Sequence, residues 1–391
     1  MGYTGAVKLA SSTSQIKRAK QLDALAAVLP MAAADRYAEI LTDADVATLK
    51  HLAAAGMGAN TLRALASDLA YLEAWCQAAT GRPLPWPADP ELVLKFIAHH
   101  MWDPEQKAID PAHGMPDDVA EDLWDRKILK VKGPHAPKTV SRRLSSWSTL
   151  HQWKGVEPPF DHPGIRKALR LAMKASAREP QRKSRKPVTR DILNRLLATC
   201  CGSNAIDLRD RAILLVAFAA GGRRRSEVAT LRHSQISVAE PIKLRPTDPS
   251  SPTVPCVRIA LGRTKTTIAG QGAFVFAAGP AVLALHEWIQ FAEITSGPVF
   301  REVKKNGSIG EPPLTPQSIN LILKKRCRLA GLDPVDFSAH GLRSGFMTQA
   351  GRDGIPLVDA MRQSAHKSVQ QAAGYYDEQE HAQSRSVRIA I

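Results

Sequence analysis

Between residues 162 and 190 the chain carries ten arginines and lysines against a single acid, Glu179. A folded core cannot take up so many unpaired cations, because each buried charge needs a partner or must stay in water. The chain therefore has to change character here. The pattern from Arg166 to Arg178 still reads as helix, whereas EPQRKSRKPVT has the proline, serine and charge content of a linker. Residues 179–188 are read as a basic linker joining a helical domain over 41–178, with an arm over 1–40 ahead of it, to a second domain over 189–391. Two cores also suit 391 residues with 44% apolar content, since one core of that size would be unusual. A formal net charge of +16 draws an extended polyanion to the surface, and nucleic acid is the polyanion expected. Arg166 ahead of the tether, and Arg182, Lys183, Arg185 and Lys186 within it, read as a strap across phosphates.

Composition also excludes classes. The five cysteines, Cys76, Cys200, Cys201, Cys256 and Cys327, are odd in number and show no C-x-x-C spacing, so neither a disulfide framework nor a zinc site is expected. KRAK at 17–20 with the apolar run behind it mimics a secretion signal, but Asp23 and Pro30 interrupt that run. The longest apolar stretch, residues 212–220, falls well short of the about 20 residues that span a bilayer. It is expected to be a buried helix in a soluble, cytoplasmic protein without cofactor or metal.

Ahead of the linker the pattern is helical. TDADVATLKHLAAAG opens on a capping residue and ends in Gly56. A second helix starts at Asn60 or Thr61, with Leu62, Leu65, Leu69, Leu72 and Trp75 at three- and four-residue spacing. ELVLKFIAHH and PKTVSRRLSSWSTLHQWKG are further helices, the latter presenting Lys138, Arg142 and Arg143. Residues 102–137, with acidic clusters and scattered prolines, read as an irregular insertion or long loop.

Behind the linker, Thr189 caps DILNRLLATC, and the buried helix runs into Gly221 and Gly222 of GGRRRSE, a sharp turn after which a new helix starts near Ser226. Arginines at such a turn can approach a ligand together with bare backbone. Past a proline-rich loop over 241–255, VPCVRIALGRTKTTIAGQGAFVFA gives two strand-like runs around a polar turn, GPVF a short third strand, and TPQSINLILKKRCRLAGL an amphipathic helix. In FSAHGLRSGF, His340 and Arg343 stand three apart on one helix face, with Ser338 placed to cap the first turn. Two nitrogen-rich side chains near a helix N-terminus suit an anionic phosphate. His366 follows 23 residues after Arg343, and Tyr375, a candidate nucleophile on a separate short helix, nine residues after that.

H-x-x-R, then a histidine, then a tyrosine nine residues on, resembles the C-terminal signature of the tyrosine recombinase (phage integrase) family. The resemblance is specific over about residues 189–376 and loose in the N-terminal part. It implies a mainly α fold: a helical core-binding domain, then an α-rich catalytic domain with a small antiparallel sheet. Against the family's T-G-x-R-x-S-E, the register of Ser226 and Glu227 makes Arg224 the first catalytic arginine, with Glu227 orienting the site, and Gly221 stands where the family has threonine. The Cre-like wording G-R-T-K-T makes Lys265 the catalytic lysine of the hairpin. His340, Arg343, His366 and Tyr375 complete the implied set, and the helix with Lys138, Arg142 and Arg143 matches one that contacts DNA in the family.

The chemistry agrees with that assignment. Two arginines and a histidine can hold the charge on nonbridging phosphate oxygens without a metal ion. A phenol must lose its proton to attack, and the leaving 5′ oxygen needs one, for which Lys265 is the expected donor. The implied activity is site-specific DNA strand exchange through a 3′-phosphotyrosyl link, by a tetramer on paired inverted-repeat sites. A type IB topoisomerase-like or telomere-resolving enzyme, or a catalytically idle DNA-binding protein, stays open as an alternative. Adjacent Tyr376 is expected to pack, and the apolar chain end, residues 387–391, to dock on its own domain or a neighbouring protomer.

Overall fold

The computed structural model describes residues 51, 56, 59–176, 184–245, 247–262 and 273–376. The arm, most of the helix expected over 42–56, Arg182, Lys183, Lys265 and the tail after Tyr376 lie outside the described residues. The chain divides into two compact units, 1–180 and 181–391.

In the first unit, helix α1 (Ala59–Thr80) buries Leu65, Leu72 and Trp75 on the stripe that the apolar spacing defines. Gly81, at φ 69°, follows its end. Helix α2 (Pro90–His100) starts with proline in the first turn, where the missing N–H costs nothing, and buries Val93, Phe96 and Ile97. The segment after it is no irregular loop. It holds α3 (Pro104–Ile109) and α4 (Asp117–Asp125), with Val119 and Leu123 in the core. The prolines that suggest interruption stand instead at helix starts, Pro104 in the first turn of α3 and Pro116 at the N-cap of α4. Helix α5 (Pro137–Trp153) adds Val140, Leu144 and Trp147, and α6 (Pro163–Ala175) adds Ile165. One carboxylate is buried among them. Asp68, 1% exposed, accepts from Ser146 Oγ at 2.8 Å and pairs with Arg142 and, at 3.7 Å, Arg143.

The second unit opens with α7 (Arg190–Leu197) and α8 (Ala205–Ala219), the latter capped by Asn204 and buried along most of its length. Thr189 holds the N-cap position of α7, although its hydroxyl bonds the Asp191 carboxylate rather than the backbone. After α9 (Arg225–Ala229) comes an antiparallel sheet in the order β1 (Ile236–Lys243), β2 (Thr253–Ala260), β3 (Phe274–Ala278). The β2–β3 pair is the expected hairpin. The first strand was hidden by Pro241, which is tolerated because β1 is an edge strand whose register shifts between Ala239 and Ile242. Helix α10 (Pro280–Phe291) covers the sheet through Leu285 and Trp288. The strand expected at GPVF lies slightly later, as β4 (Arg301–Val303) paired with β5 (Ile309–Pro313), while Val299 and Phe300 enter the core. Helix α11 (Pro316–Leu329) is bolted to α8 by Arg326, which reaches Asp210 at 2.7 Å and Asp207 at 2.8 Å. The unit closes with α12 (Ala339–Arg352), α13 (Leu357–Ser364) and α14 (Val369–Ala373).

Candidate active site

The site is built where the turn after α8 meets α12 and the end of α13. Gly221 and Gly222 have φ of 87° and 67°, and a Cβ on either would fall well under 3.0 Å from backbone, at Gln363 O and Arg343 Cα respectively. Only glycine lets three backbone segments approach this closely. The following arginines then diverge. Arg223 is 5% exposed and donates to Ser364 O at 2.5 Å and Gln363 O at 3.3 Å. Arg224, at the N-cap of α9, keeps its side chain 59% exposed. Arg225 donates to Gln317 Oε1 at 3.1 Å. Glu227 orders this turn: one oxygen accepts from the Arg224 backbone N–H and the other from its guanidinium, both at 3.1 Å, and Arg223 lies 3.7 Å away.

Ser338 Oγ accepts from His340 N at 3.3 Å, so the start of α12 is capped as its sequence indicates. On the same helix His340 is exposed and Arg343 is 6% exposed. Arg343 donates through Nη1 to Ser364 O at 2.6 Å and Gly222 O at 3.3 Å, and through Nε to His366 Nε2 at 3.1 Å. Burial, then the neighbouring cations Arg223 and Arg224, push its pKa down to about 10. It remains charged at neutral pH.

Ala365, in the left-handed region at φ 53°, turns the chain off α13 and brings His366 back toward Arg343. Burial first, then Arg343, Arg223, Arg224 and His340, lower the His366 pKa to about 4, so the ring is neutral at pH 7. Its Nε2 accepts from Arg343, which leaves the proton on Nδ1, donated to Ser364 Oγ at 2.6 Å. The imidazole thus carries an acceptor nitrogen beside a guanidinium. Its ring centroid is 5.9 Å from that of Tyr375.

Tyr375 stands in the turn after α14, rather than on the helix itself, and is half-buried. Tyr376 packs, as expected, against Met347, Ala350 and Ala360, and its hydroxyl donates to Ile355 O at 3.2 Å. Geometry thus separates two tyrosines that sequence places side by side. Arg224, Glu227, Arg343, His366 and Tyr375 come together, with His340 close enough to act on His366. Among the described residues no group of three or more His, Cys, Asp or Glu could hold a metal ion. Sequence reasoning missed Arg223 and Ser364, neither of which belongs to the implied set. The glycine pair was the available signal, because it announces a close backbone approach.

The description "Phage integrase family" belongs to a family model that matches residues 186–382, just over half of the chain. The chain belongs to the phage integrase family. An integrase/recombinase xerD homolog of Selenomonas ruminantium is 29% identical to this integrase over 327 residues, covering 82% of each chain. Among solved structures it is similar to a lambda integrase dimer bound to a COC′ core site, with 13% identity, a TM-score of 0.47, and 84% and 93% of the two chains covered. It is also similar to the XerH recombinase bound to its palindromic difH substrate, with 13% identity, a TM-score of 0.44, and 83% and 96% covered. This integrase is a DNA-cutting and rejoining enzyme by its family. No helix among the described residues is long and apolar enough to cross a membrane.

The basic residues expected at DNA are placed unevenly. Lys138, Arg142, Arg166, Arg185 and Lys186 reach the surface, Arg142 sharing Asp68, Arg166 pairing with Asp161 and Lys186 with Asp336 at 2.6 Å. Arg143 turns inward. Its side chain is 13% exposed, stacks 3.3 Å from the centroid of Tyr71 and meets His135 Nδ1 at 2.8 Å.

Proposed function

We propose that Tyr375 is the nucleophile of a site-specific recombination reaction and that Arg224, Arg343 and His340 hold the scissile phosphate. The observation that carries this is the charged Arg343 guanidinium bonded to neutral His366, whose ring lies beside half-buried Tyr375, whereas Tyr376 is buried within the core among α12–α14. Tyr375 Oη attacks phosphorus, the P–O5′ bond breaks, and a 3′-phosphotyrosyl link forms. Lys265 gives the leaving 5′ oxygen its proton, and His366, already in the acceptor form, shuttles the proton from the phenol. A 5′-hydroxyl of the partner strand reverses the step, so bond energy is conserved without ATP. Glu227 orients Arg224, as the two hydrogen bonds it accepts from that residue support.

The helical unit takes the role of core-binding domain, with Lys138, Arg142 and Arg166 on DNA phosphates, continued by Arg182, Lys183, Arg185 and Lys186 of the linker. Arg143 acts behind them, bracing α5 against α1. Each chain supplies one nucleophile, and exchange needs two duplexes cut twice, so about four copies gather on paired inverted repeats. The test is covalent trapping on a nicked suicide duplex. Wild-type protein is expected to give a denaturation-resistant DNA adduct and Tyr375→Phe none, with DNA binding intact. An adduct that persists in Tyr375→Phe and vanishes in Tyr376→Phe overturns the assignment.

A further inference from the structure

The first arginine of the triplet, Arg223, presents a physical puzzle. A guanidinium that is 5% exposed loses most of its hydration, and its Nε has no hydrogen-bond partner. Burial lowers its proton affinity and neighbouring Arg224 lowers it further, against the opposing pull of Glu227, while its own charge lowers that of Arg343. An apolar side chain would fill the same volume without these costs. What the arginine supplies is reach. It joins the turn before α9, through Glu227 at 3.7 Å, to the last carbonyls of α13, through Ser364 O and Gln363 O. Ser364 O is a shared node, for it accepts from Arg223 and Arg343 together. Ser364 Oγ in turn takes the Nδ1 proton of His366, and Gln363 Nε2 donates to Phe276 O at 2.5 Å on β3.

We propose that Arg223 is a positioning residue, which clamps the end of α13 so that His366 faces Arg343 and Tyr375 in the geometry that cleavage requires. Its action is indirect, through the Ser364 carbonyl that it shares with Arg343. Its charge also bears on His366, together with Arg343 and His340 from α12, Arg224 from the turn before α9, and the Tyr375 ring after α14. Removing it lets His366 take up a proton at higher pH.

This inference rests on the nucleophile assignment above, so the test compares variants with a wild-type protein already shown to form the adduct. Arg223→Met and Arg223→Lys are assayed in the full-length protein for DNA affinity, thermal midpoint, and single-turnover adduct formation against pH, below the midpoint of each. Arg223→Met is expected to bind DNA within about twofold of wild type. It should form adduct about ten- to a hundredfold more slowly, because a small misplacement of a catalytic group costs that much. The acid limb of its pH profile should move upward. Arg223→Lys keeps the charge, so its profile should stay near wild type, yet one ammonium cannot span both carbonyls and Glu227, and its rate should remain reduced. A folded Arg223→Met with wild-type rate and profile overturns the proposal. If that variant does not fold, Arg223→Lys decides alone: a wild-type rate overturns the proposal and a slow rate with an unshifted profile supports it. Absence of any wild-type adduct removes the nucleophile assignment and this inference with it.

Discussion

Restoring the family's own residue should damage this protein. The family pattern carries threonine where Gly221 stands, yet Gly221 has φ 87° and a Cβ there would overlap Gln363 O. An L-residue in the left-handed region costs about 1–2 kcal/mol, and a β-branched one no less. Forcing extra atoms into a packed contact adds about 1–3 kcal/mol. Gly221→Thr should therefore lose roughly 2–5 kcal/mol, a large share of the about 5–15 kcal/mol that holds a domain folded. For a unit of this size the unfolding midpoint should fall by roughly 5–15 °C. Thermal unfolding followed by circular dichroism measures it, with Gly221→Ala separating backbone strain and Cβ overlap from the bulk of threonine. Because Gln363 O also accepts from Arg223, adduct formation should fall even in the fraction that folds. A threonine variant whose midpoint lies within about 2 °C of wild type would refute both the strain and the close approach.

Two further outcomes concern the helical unit. Burial lowers the pKa of His99 to about 4 and holds that of His100 well below its ordinary value, so both rings are neutral, bonded to Trp75 and Tyr71 respectively. Unfolded histidine binds its proton near pH 6.5, so the stability of this unit should be full above 6.5 and be lost as pH falls through 4; urea midpoints that stay flat over that window contradict the neutral cluster. Asp68→Asn leaves Arg143 inside without its carboxylate and should cost about 3 kcal/mol, read as a lower urea midpoint of this unit with the second unit unchanged.

What was legible in the sequence was what is local. The spacing of Leu65, Leu72 and Trp75 fixed the buried stripe of α1, Ser338 announced the start of α12, and the polar turn between two apolar runs announced β2 and β3. The errors came from reading proline only as a breaker. Pro104 and Pro116 start helices, and Pro241 sits in an edge strand, three positions where a missing N–H is harmless. The register of Ser226 and Glu227 picked Arg224 out of GGRRRSE, and the structure keeps that side chain exposed.

Nothing local could assign the other two arginines. Their roles depend on what the chain brings from more than 90 residues away: Gln317 for Arg225, and the Gln363 and Ser364 carbonyls for Arg223. A backbone carbonyl has no residue identity, so a site braced by carbonyls leaves no motif. The glycine pair is its only trace, because side chains at 221 and 222 would occupy the space that the end of α13 and the backbone of Arg343 require. The side chains proposed for catalysis are therefore readable as a pattern, while the frame that brings His366 to Arg343 and Tyr375 becomes visible only when helix ends and turns are packed together.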